Sequence, residues 1–355
     1  MSMDPVTVHL LSNPYGITDL QYRMDPFNVA IHKLITHLQS YGYRVYHYGH
    51  QSSDVPCEHL SVISNDDLRP PDPSEMFRRD DRLIDLFNRR TADKLDKTKS
   101  PRDLVLCFWG ISQQAAVAPH TDLYVVEPSI GYRTECVFAP YRVFTSYAQM
   151  HYYYGQRNML CAPSWFDAVI PNAFTVSEFE YRPATHKDDF VLYLGRVVQD
   201  KGLDICIQAT ERVGRRLVIA GPGSLRSLGY TRTPSHVECV GYVDVDRRRD
   251  LLSRARVLMA PTYYLEPFGN IVVEAMLSGT PVVTTDWGGF AETVVQGVTG
   301  YRCREFRSFV TALDHIDRIN SAVCQDRAKA LYADEVVHPQ FDAYFRKILR
   351  QDFYA

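Results

Sequence analysis

Short apolar runs rich in β-branched residues alternate with longer segments of helical period, and the alternation occurs twice along this chain. That pattern narrows the choice of fold sharply. A continuous apolar run of four to six residues reads as a strand covered on both faces, as in parallel sheets. Parallel neighbours need a crossover long enough to hold a helix. The first series of runs lies at 6–11, 44–48, 104–108, 123–126 and 168–170, and the second at 190–194, 217–220, 237–240, 257–260 and 281–284. Residues 27–41 read as an amphipathic helix with Val29, Leu34 and Leu38 near one face, stopped by Gly42. Residues 52–73, rich in Asp, Ser and Pro, read as irregular, and 75–99 as one or two charged helices. The polar, Pro-containing stretch 182–189 separates the two series. At 355 residues the chain exceeds what one core usually organises. The expectation is an α/β protein of two Rossmann-like domains facing across a cleft, with ligands outside the carboxyl ends of the strands. The domains are expected at 1–182 and 183–337.

Composition excludes several classes. The chain is 45% hydrophobic and 23% charged, as ordinary globular proteins are, and its formal charge of −3 gives no whole-chain pull toward nucleic acid or anionic lipid. No run approaches the about 18 apolar residues of a spanning helix. The first eleven residues are too β-branched and too soon acidic for a secretory signal. The eight cysteines, including Cys107 and Cys161, are scattered without a C-x-x-C pair and read as reduced, mostly buried thiols of a cytoplasmic protein.

The stretch Thr262-Tyr263-Tyr264-Leu265-Glu266-Pro267-Phe268-Gly269-Asn270 carries the most chemistry. A strand ends at Ala260, a loop carries Glu266, and a helix starts near 268–270 and is closed by Gly279. Backbone N–H groups around Phe268, Gly269 and Asn270 suit a phosphate, and Gly269 permits close approach. Glu274 lies one turn past Asn270, placed to accept from a ribose diol, while Glu266 suits sugar hydroxyls. Gly195, Arg196, Lys201 and Gly202 follow the strand at 190–194, so both cations lie at its carboxyl edge and suit a diphosphate. Gly221 and Gly223 form a turn after the next strand, and Asp286-Trp287-Gly288-Gly289 forms another glycine loop on the same rim.

With those residues in place, the second half resembles the donor domain of retaining glycosyltransferases of family 4, in the GT-B superfamily. Glu266 and Glu274 match the family's E-x7-E motif around Pro-Phe-Gly. Gly195-Arg196 with Lys201-Gly202 resembles its phosphate element, and Pro171-Asn172-Ala173-Phe174 its turn at the end of the first domain. The likeness is close over roughly residues 168–300 and outlines the rest. It implies that Arg196 and Lys201 hold the diphosphate, Glu274 the ribose and Glu266 the transferred sugar. It further implies no divalent metal and no bound cofactor, the nucleoside-diphosphate sugar being a co-substrate, and a C-terminal segment, about 338–355, that crosses back to the first domain. Many members have a glycine-rich loop where this chain has 12–19 with the single Gly16. Many also have a histidine where Glu127 follows the strand at 123–126, so Glu127 joins the catalytic candidates and Gly16 the donor-binding ones. A carboxylate at 127 can bind sugar hydroxyls or stabilise an oxocarbenium-like centre.

On the acceptor side, the aromatic segment 141–155 suits either sugar stacking or packing of a helix on its sheet. The segment 76–102 interleaves nine cations, among them Arg78, Arg79, Arg90 and Lys99, with aspartates. It reads as a solvated helix face or as a contact for lipid head groups or nucleic acid phosphates. The expected function is retaining transfer of a sugar from a nucleoside-diphosphate sugar to a glycan, lipid, small molecule or modified base. The alternatives are a nucleotide-sugar epimerase on the same fold and a non-catalytic sugar-nucleotide-binding subunit. A dehydrogenase is disfavoured, because the first strand leads into no G-x-G-x-x-G turn.

Overall fold

A computed structural model of the chain describes residues 5–20, 26–68, 80–159 and 164–352. Arg78, Arg79, Cys161 and the extreme N-terminus lie outside the described residues. The chain divides into two compact units. The first comprises Met1–Phe144, Tyr152–Ile170 and His338–Ala355, and the second Thr145–His151 and Pro171–Val337. The long segment of the second unit thus begins at Pro171, ahead of the 182–189 stretch, and Lys187 of that stretch is buried. Its ammonium donates to the carbonyls of Ser253 (2.8 Å) and Ser278 (3.2 Å) and to Thr280 Oγ1 (2.7 Å).

Among its described residues the first unit carries seven strands, β1 (Thr7–Leu11), β2 (Arg44–His50), β3 (Glu58–Ile63), β4 (Leu104–Cys107), β5 (Tyr124–Ile130), β6 (Tyr141–Phe144) and β7 (Ala168–Val169). They form one sheet in the order β3-β2-β1-β4-β5-β6-β7, and every pair is parallel. Its helices are α1 (Pro26–Ser40), α2 (Asp81–Thr98) and α3 (Gln114–Val117), and α4 (Tyr147–Gln156) begins in the second unit. Asp80 caps α2 by accepting from the Leu83 N–H.

The second unit has six strands, β8 (Phe190–Leu194), β9 (Arg216–Ala220), β10 (Val237–Gly241), β11 (Val257–Ala260), β12 (Val282–Thr285) and β13 (Gly300–Cys303). Their order is β10-β9-β8-β11-β12-β13, again parallel throughout. Its helices are α5 (Leu203–Val213), α6 (Val245–Arg254), α7 (Asn270–Leu277), α8 (Phe290–Thr293), α9 (Phe306–Asp314) and α10 (Ser321–Tyr332), followed by α11 (Asp334–Arg350). Each sheet runs outward from its first strand and then reverses on the other side, the Rossmann winding, so the fold is two Rossmann-like α/β units, the GT-B plan. Beyond the division at Val337, α11 packs into the first unit, with Phe345 and Ile348 fully buried and the Tyr344 hydroxyl donating to the Phe166 carbonyl at 2.8 Å.

Three expectations change. The stretch 52–73 holds β3, whose Glu-His-Leu-Ser-Val-Ile sequence has too little apolar character to stand out. Strand β5 does not end at Val126 but runs on through Glu127 to Ile130, with a register irregularity against β6. The aromatic segment 141–155 is β6 followed by α4, where Tyr153 is buried against Phe144 while Tyr147 is exposed. No helix among the described residues is long and apolar enough to cross a membrane.

The first unit also buries imidazoles on β2 and β3. His47 is fully buried, with Nδ1 2.9 Å from His59 Nδ1 and Nε2 3.1 Å from Thr18 Oγ1. A contact between two ring nitrogens needs one N–H and one lone pair, so the pair cannot carry two charges. Burial pushes His47 down to about 3, with the His59 charge adding to it, and burial also lowers His50 and His59. The unfolded chain therefore takes up protons below its ordinary value of 6.5 while the folded chain does not. Stability is expected to be intact above about pH 6.5 and to fall as the pH drops toward 3. Thermal melts between pH 7.5 and 4 check this: the midpoint falls with acid, and His47→Gln flattens that slope even though it lowers the midpoint at pH 7.5.

Candidate functional site

The carboxyl edge of the second sheet gathers most of the sequence-selected residues. After β8 the chain turns through Gly195 and Arg196 to Lys201. The Gly195 N–H donates to the Ala220 carbonyl at 2.9 Å, and the Tyr193 hydroxyl donates to the Arg196 carbonyl at 2.6 Å. The neighbouring turn after β9 lies against it. Gly221 has φ +147°, and a Cβ there would stand 2.0 Å from the Gly195 carbonyl oxygen, so only glycine allows the two turns to touch. The Val197 N–H then donates to the Pro222 carbonyl at 2.9 Å, and Val197 bridges to Gly223.

Lys201 and Glu266 meet on this edge. Lys201 Nζ lies 3.2 Å from Glu266 Oε2, and both side chains are largely buried. Between them sits Tyr264, whose hydroxyl accepts from Lys201 and donates to Glu266 Oε2 at 2.7 Å. The lysine nitrogen also lies 4.8 Å from the centre of the Tyr264 ring. Burial, and after it the Glu266 charge, push the Tyr264 phenol well above its ordinary value, so it keeps its proton and stays a donor. The Arg196 charge acts on the same phenol in the opposite direction, which places the guanidinium within electrostatic reach of the cluster.

The loop leading to α7 is fixed from two sides. The Gly289 N–H donates to the Glu266 carbonyl at 2.6 Å and Trp287 Nε1 to the Tyr264 carbonyl at 3.1 Å, so the glycine loop after β12 lies on the Glu266 loop. On the other side, Ser146 Oγ donates to the Pro267 carbonyl at 2.5 Å. Gly269 then starts α7 with φ +89°, where a Cβ would stand 2.4 Å from the Phe290 ring. The N–H groups of Gly269, Asn270 and Ile271 open the helix and have no acceptor within it, which makes this end attractive to an anion. The Asn270 side chain accepts from Asn172 Nδ2 at 2.7 Å, joining the 171–174 turn to the helix start. Phe268 is a core residue: its ring stacks on Phe174 at 6.4 Å and meets Tyr332 edge-on at 5.5 Å. Its contribution to a phosphate cradle is therefore limited to backbone.

Glu274 faces a partner that no sequence pattern shows. Its Oε2 accepts from Arg248 Nε at 2.9 Å and from the neighbouring Nη2, across from α6 to α7. Glu274 is 9% exposed, so the guanidinium neutralises a carboxylate that water scarcely reaches. Glu274 Oε1 takes no hydrogen bond among the described residues. Asp244, in the pair Asp244-x-Asp246, caps α6 by accepting from the Arg247 N–H at 2.8 Å.

The two candidates in the first unit stand differently. Gly16 is buried in the turn after β1, its N–H donating to the Asn13 carbonyl at 3.4 Å. Glu127 is fully buried inside β5 and not in a loop beyond it. Its Oε1 accepts from the Tyr132 hydroxyl at 2.5 Å, and its Oε2 from the N–H groups of Phe138 (3.0 Å) and Ala139 (2.8 Å). Burial raises its pKa, against those three hydrogen bonds. Both oxygens are engaged in holding the 132–139 segment, so as placed Glu127 offers no carboxylate to a sugar. In the 76–102 segment, Arg90 pairs with Asp67 at 2.5 Å and Lys99 with Asp122 at 2.5 Å, the arrangement of a solvated, locally paired surface.

Part of the chain is similar to known proteins. Residues 188–317 match the family model described as glycosyl transferases group 1. A glycogen synthase of Mycobacterium tuberculosis is 32% identical over 177 residues, 46% of this chain and 42% of that protein. The chain thus spans less than half the length of that relative. AviGT4, a glycosyltransferase involved in avilamycin A biosynthesis, has the same fold with a TM-score of 0.67 at 22% identity, covering 98% of each chain. The Anabaena protein HepE in complex with UDP-glucose superposes with a TM-score of 0.68 at 15% identity, over 96% of this chain and 100% of that one.

Arg248→Gln is expected to destabilise the second unit. Removing one partner of a fully buried pair costs roughly 3–5 kcal/mol. Because Arg248 is 38% exposed, water screens part of this, and about 1–2 kcal/mol is expected. Urea unfolding at pH 7 measures the loss, and the double variant Arg248→Gln with Glu274→Gln should recover much of it.

Proposed function

We propose that this protein is a glycosyltransferase that takes a sugar from a nucleoside-diphosphate sugar held on the carboxyl edge of the second sheet. The observation that carries this reading is the Lys201–Tyr264–Glu266 cluster beside the amino end of α7. It sets an ammonium and open helix N–H groups, which suit a diphosphate, next to a carboxylate, which suits sugar hydroxyls. The match of residues 188–317 to group 1 glycosyl transferases, and the UDP-glucose bound by a protein of the same fold, support it.

In this reading Arg196, Lys201 and the N–H groups of Gly269 and Asn270 bind the diphosphate, whose negative charge grows as its bond to the sugar breaks. Glu274, oriented by Arg248, accepts from the ribose diol. Glu266 accepts from hydroxyls of the sugar, and Tyr264 holds it and Lys201 in register. The bond from the anomeric carbon to the phosphate oxygen breaks, and the bond to the acceptor oxygen forms on the same face. Attack on that face retains configuration, and the acceptor's proton passes to the departing phosphate oxygen, so no strong protein base is needed. The cations supply the charge stabilisation that a divalent metal provides elsewhere.

The test is donor turnover with UDP- and GDP-sugars in the presence of a chelator. Wild type is expected to release nucleoside diphosphate with the chelator present. Lys201→Ala should lose roughly 100-fold or more, as expected for deleting a group that stabilises transition-state charge. Tyr264→Phe, which keeps the ring, should lose less and fold normally. Turnover unchanged in Lys201→Ala, or products with inverted configuration by NMR, would contradict the reading.

A further inference from the structure

We propose that Lys187 is a positioning residue for Glu274: its ammonium ties the carboxyl ends of α6 and α7 together and so holds that carboxylate in place for the donor's ribose. The inference rests on the reading of this edge as a nucleoside-diphosphate-sugar site and deepens it. Lys187 precedes β8 and is 7% exposed. Among the described residues no carboxylate pairs with it, so its charge is met by neutral acceptors alone. A buried cation without an acid is costly, and its place in the fold shows what it holds.

Its three acceptors come from the ends of two helices. Ser253 lies in the last turn of α6, where carbonyls lack a partner within the helix, and Ser278 caps the end of α7. Thr280 Oγ1, the third, donates in turn to the Leu252 carbonyl of α6 at 2.5 Å. With that hydroxyl proton engaged, all three hydrogens must come from Lys187, and a neutral amine has only two. Burial pushes Lys187 down to about 7. The negative ends of two helix dipoles meet at the nitrogen and act the other way, favouring the charged form.

The same two helices carry the pair that faces the ribose. Arg248 stands five residues before Ser253 and Glu274 four before Ser278, so each lies about 6–8 Å along its helix from the tied end. Their contact, Arg248 Nε to Glu274 Oε2 at 2.9 Å, therefore depends on α6 and α7 keeping their register. Ser278 continues the tie into α7, its Oγ donating to the Glu274 carbonyl at 3.0 Å. Without the ammonium, the Ser253 and Ser278 carbonyls face each other with no donor between them, and the ends of the helices separate. Glu274 then stays on α7 but loses its aim. Lys187 touches neither Glu274 nor Arg248, so it acts through the helices.

Isothermal titration with UDP and GDP, each against its 2′,3′-dideoxy form, isolates the ribose contact. Wild type is expected to bind the ribose form about tenfold or more tightly, the share of a hydrogen bond to a carboxylate. Glu274→Ala and Lys187→Met should each cut that preference below about threefold and leave the affinity for the dideoxy form unchanged. The unchanged dideoxy affinity marks positioning, since a general loosening of the fold weakens both forms alike. Thr280→Val, which removes one acceptor and keeps the ammonium, should give an intermediate preference, and it carries the test if Lys187→Met does not fold. A preference lost in Glu274→Ala but intact in the Lys187 and Thr280 variants would overturn the inference and leave the donor site standing, as would an equal loss for both forms. Binding of neither nucleotide, or no ribose preference that depends on Glu274, would instead overturn the ribose assignment of the proposed function and this inference with it.

Discussion

Every strand of the second sheet runs in the same direction, so each strand-to-helix turn must open on the same edge. The rest of the site depends on this constraint. It sets the turn carrying Arg196 beside the turn carrying Gly221 and the loop carrying Glu266 beside the glycine loop after β12, although these segments are far apart in the chain. The contacts are then fixed by backbone: Gly195 to Ala220, Val197 to Pro222, and Gly289 to Glu266. These links bind main chain to main chain, so the turns are held in place without drawing on their side chains.

Two carboxylates on this edge are each balanced by one cation. Glu266 is balanced by Lys201 through Tyr264, and Glu274 by Arg248. Partly buried carboxylates need such neutralisation, because their charge is costly away from water. The pairings also fix geometry. A phenol that keeps its proton points Glu266 Oε2 toward the lysine, and a guanidinium gripping Glu274 Oε2 leaves Oε1 without a hydrogen bond among the described residues. Glu127 in the first unit shows the opposite use of the same group. There both oxygens are consumed by Tyr132, Phe138 and Ala139, and the carboxylate serves as a clamp for a loop.

Much of the fold was legible because parallel strands buried on both faces leave apolar runs in the sequence, as at β8, β9, β11 and β12. The elements that escaped lack that mark. Strand β3 reads Glu-His-Leu-Ser-Val-Ile at the margin of its sheet, and β13 reads Gly-Tyr-Arg-Cys at the margin of the other. Within the site, Lys201, Glu266 and Glu274 stood out because they follow strands at short, fixed distances. Arg248 did not, since it lies 26 positions from Glu274 and looks like one of four arginines on a charged helix. Glu127 was misplaced because β5 continues through Pro128, which its β6 pairing tolerates by a register irregularity.

The sequence by itself determined the alternation of strand and helix, the two series that give two units, and the residue types available at each strand end. These follow from local periodicity and short spacings, which a chain carries wherever it folds. Only the tertiary structure decided which charges meet. Glu274 is held by Arg248 across two helices, Tyr264 stands between Lys201 and Glu266, and Glu127 is sealed inside a strand. Such pairings depend on distances of a few ångströms between segments far apart in the chain, and the Coulomb and hydrogen-bond energies that rank them exist only once those segments have packed.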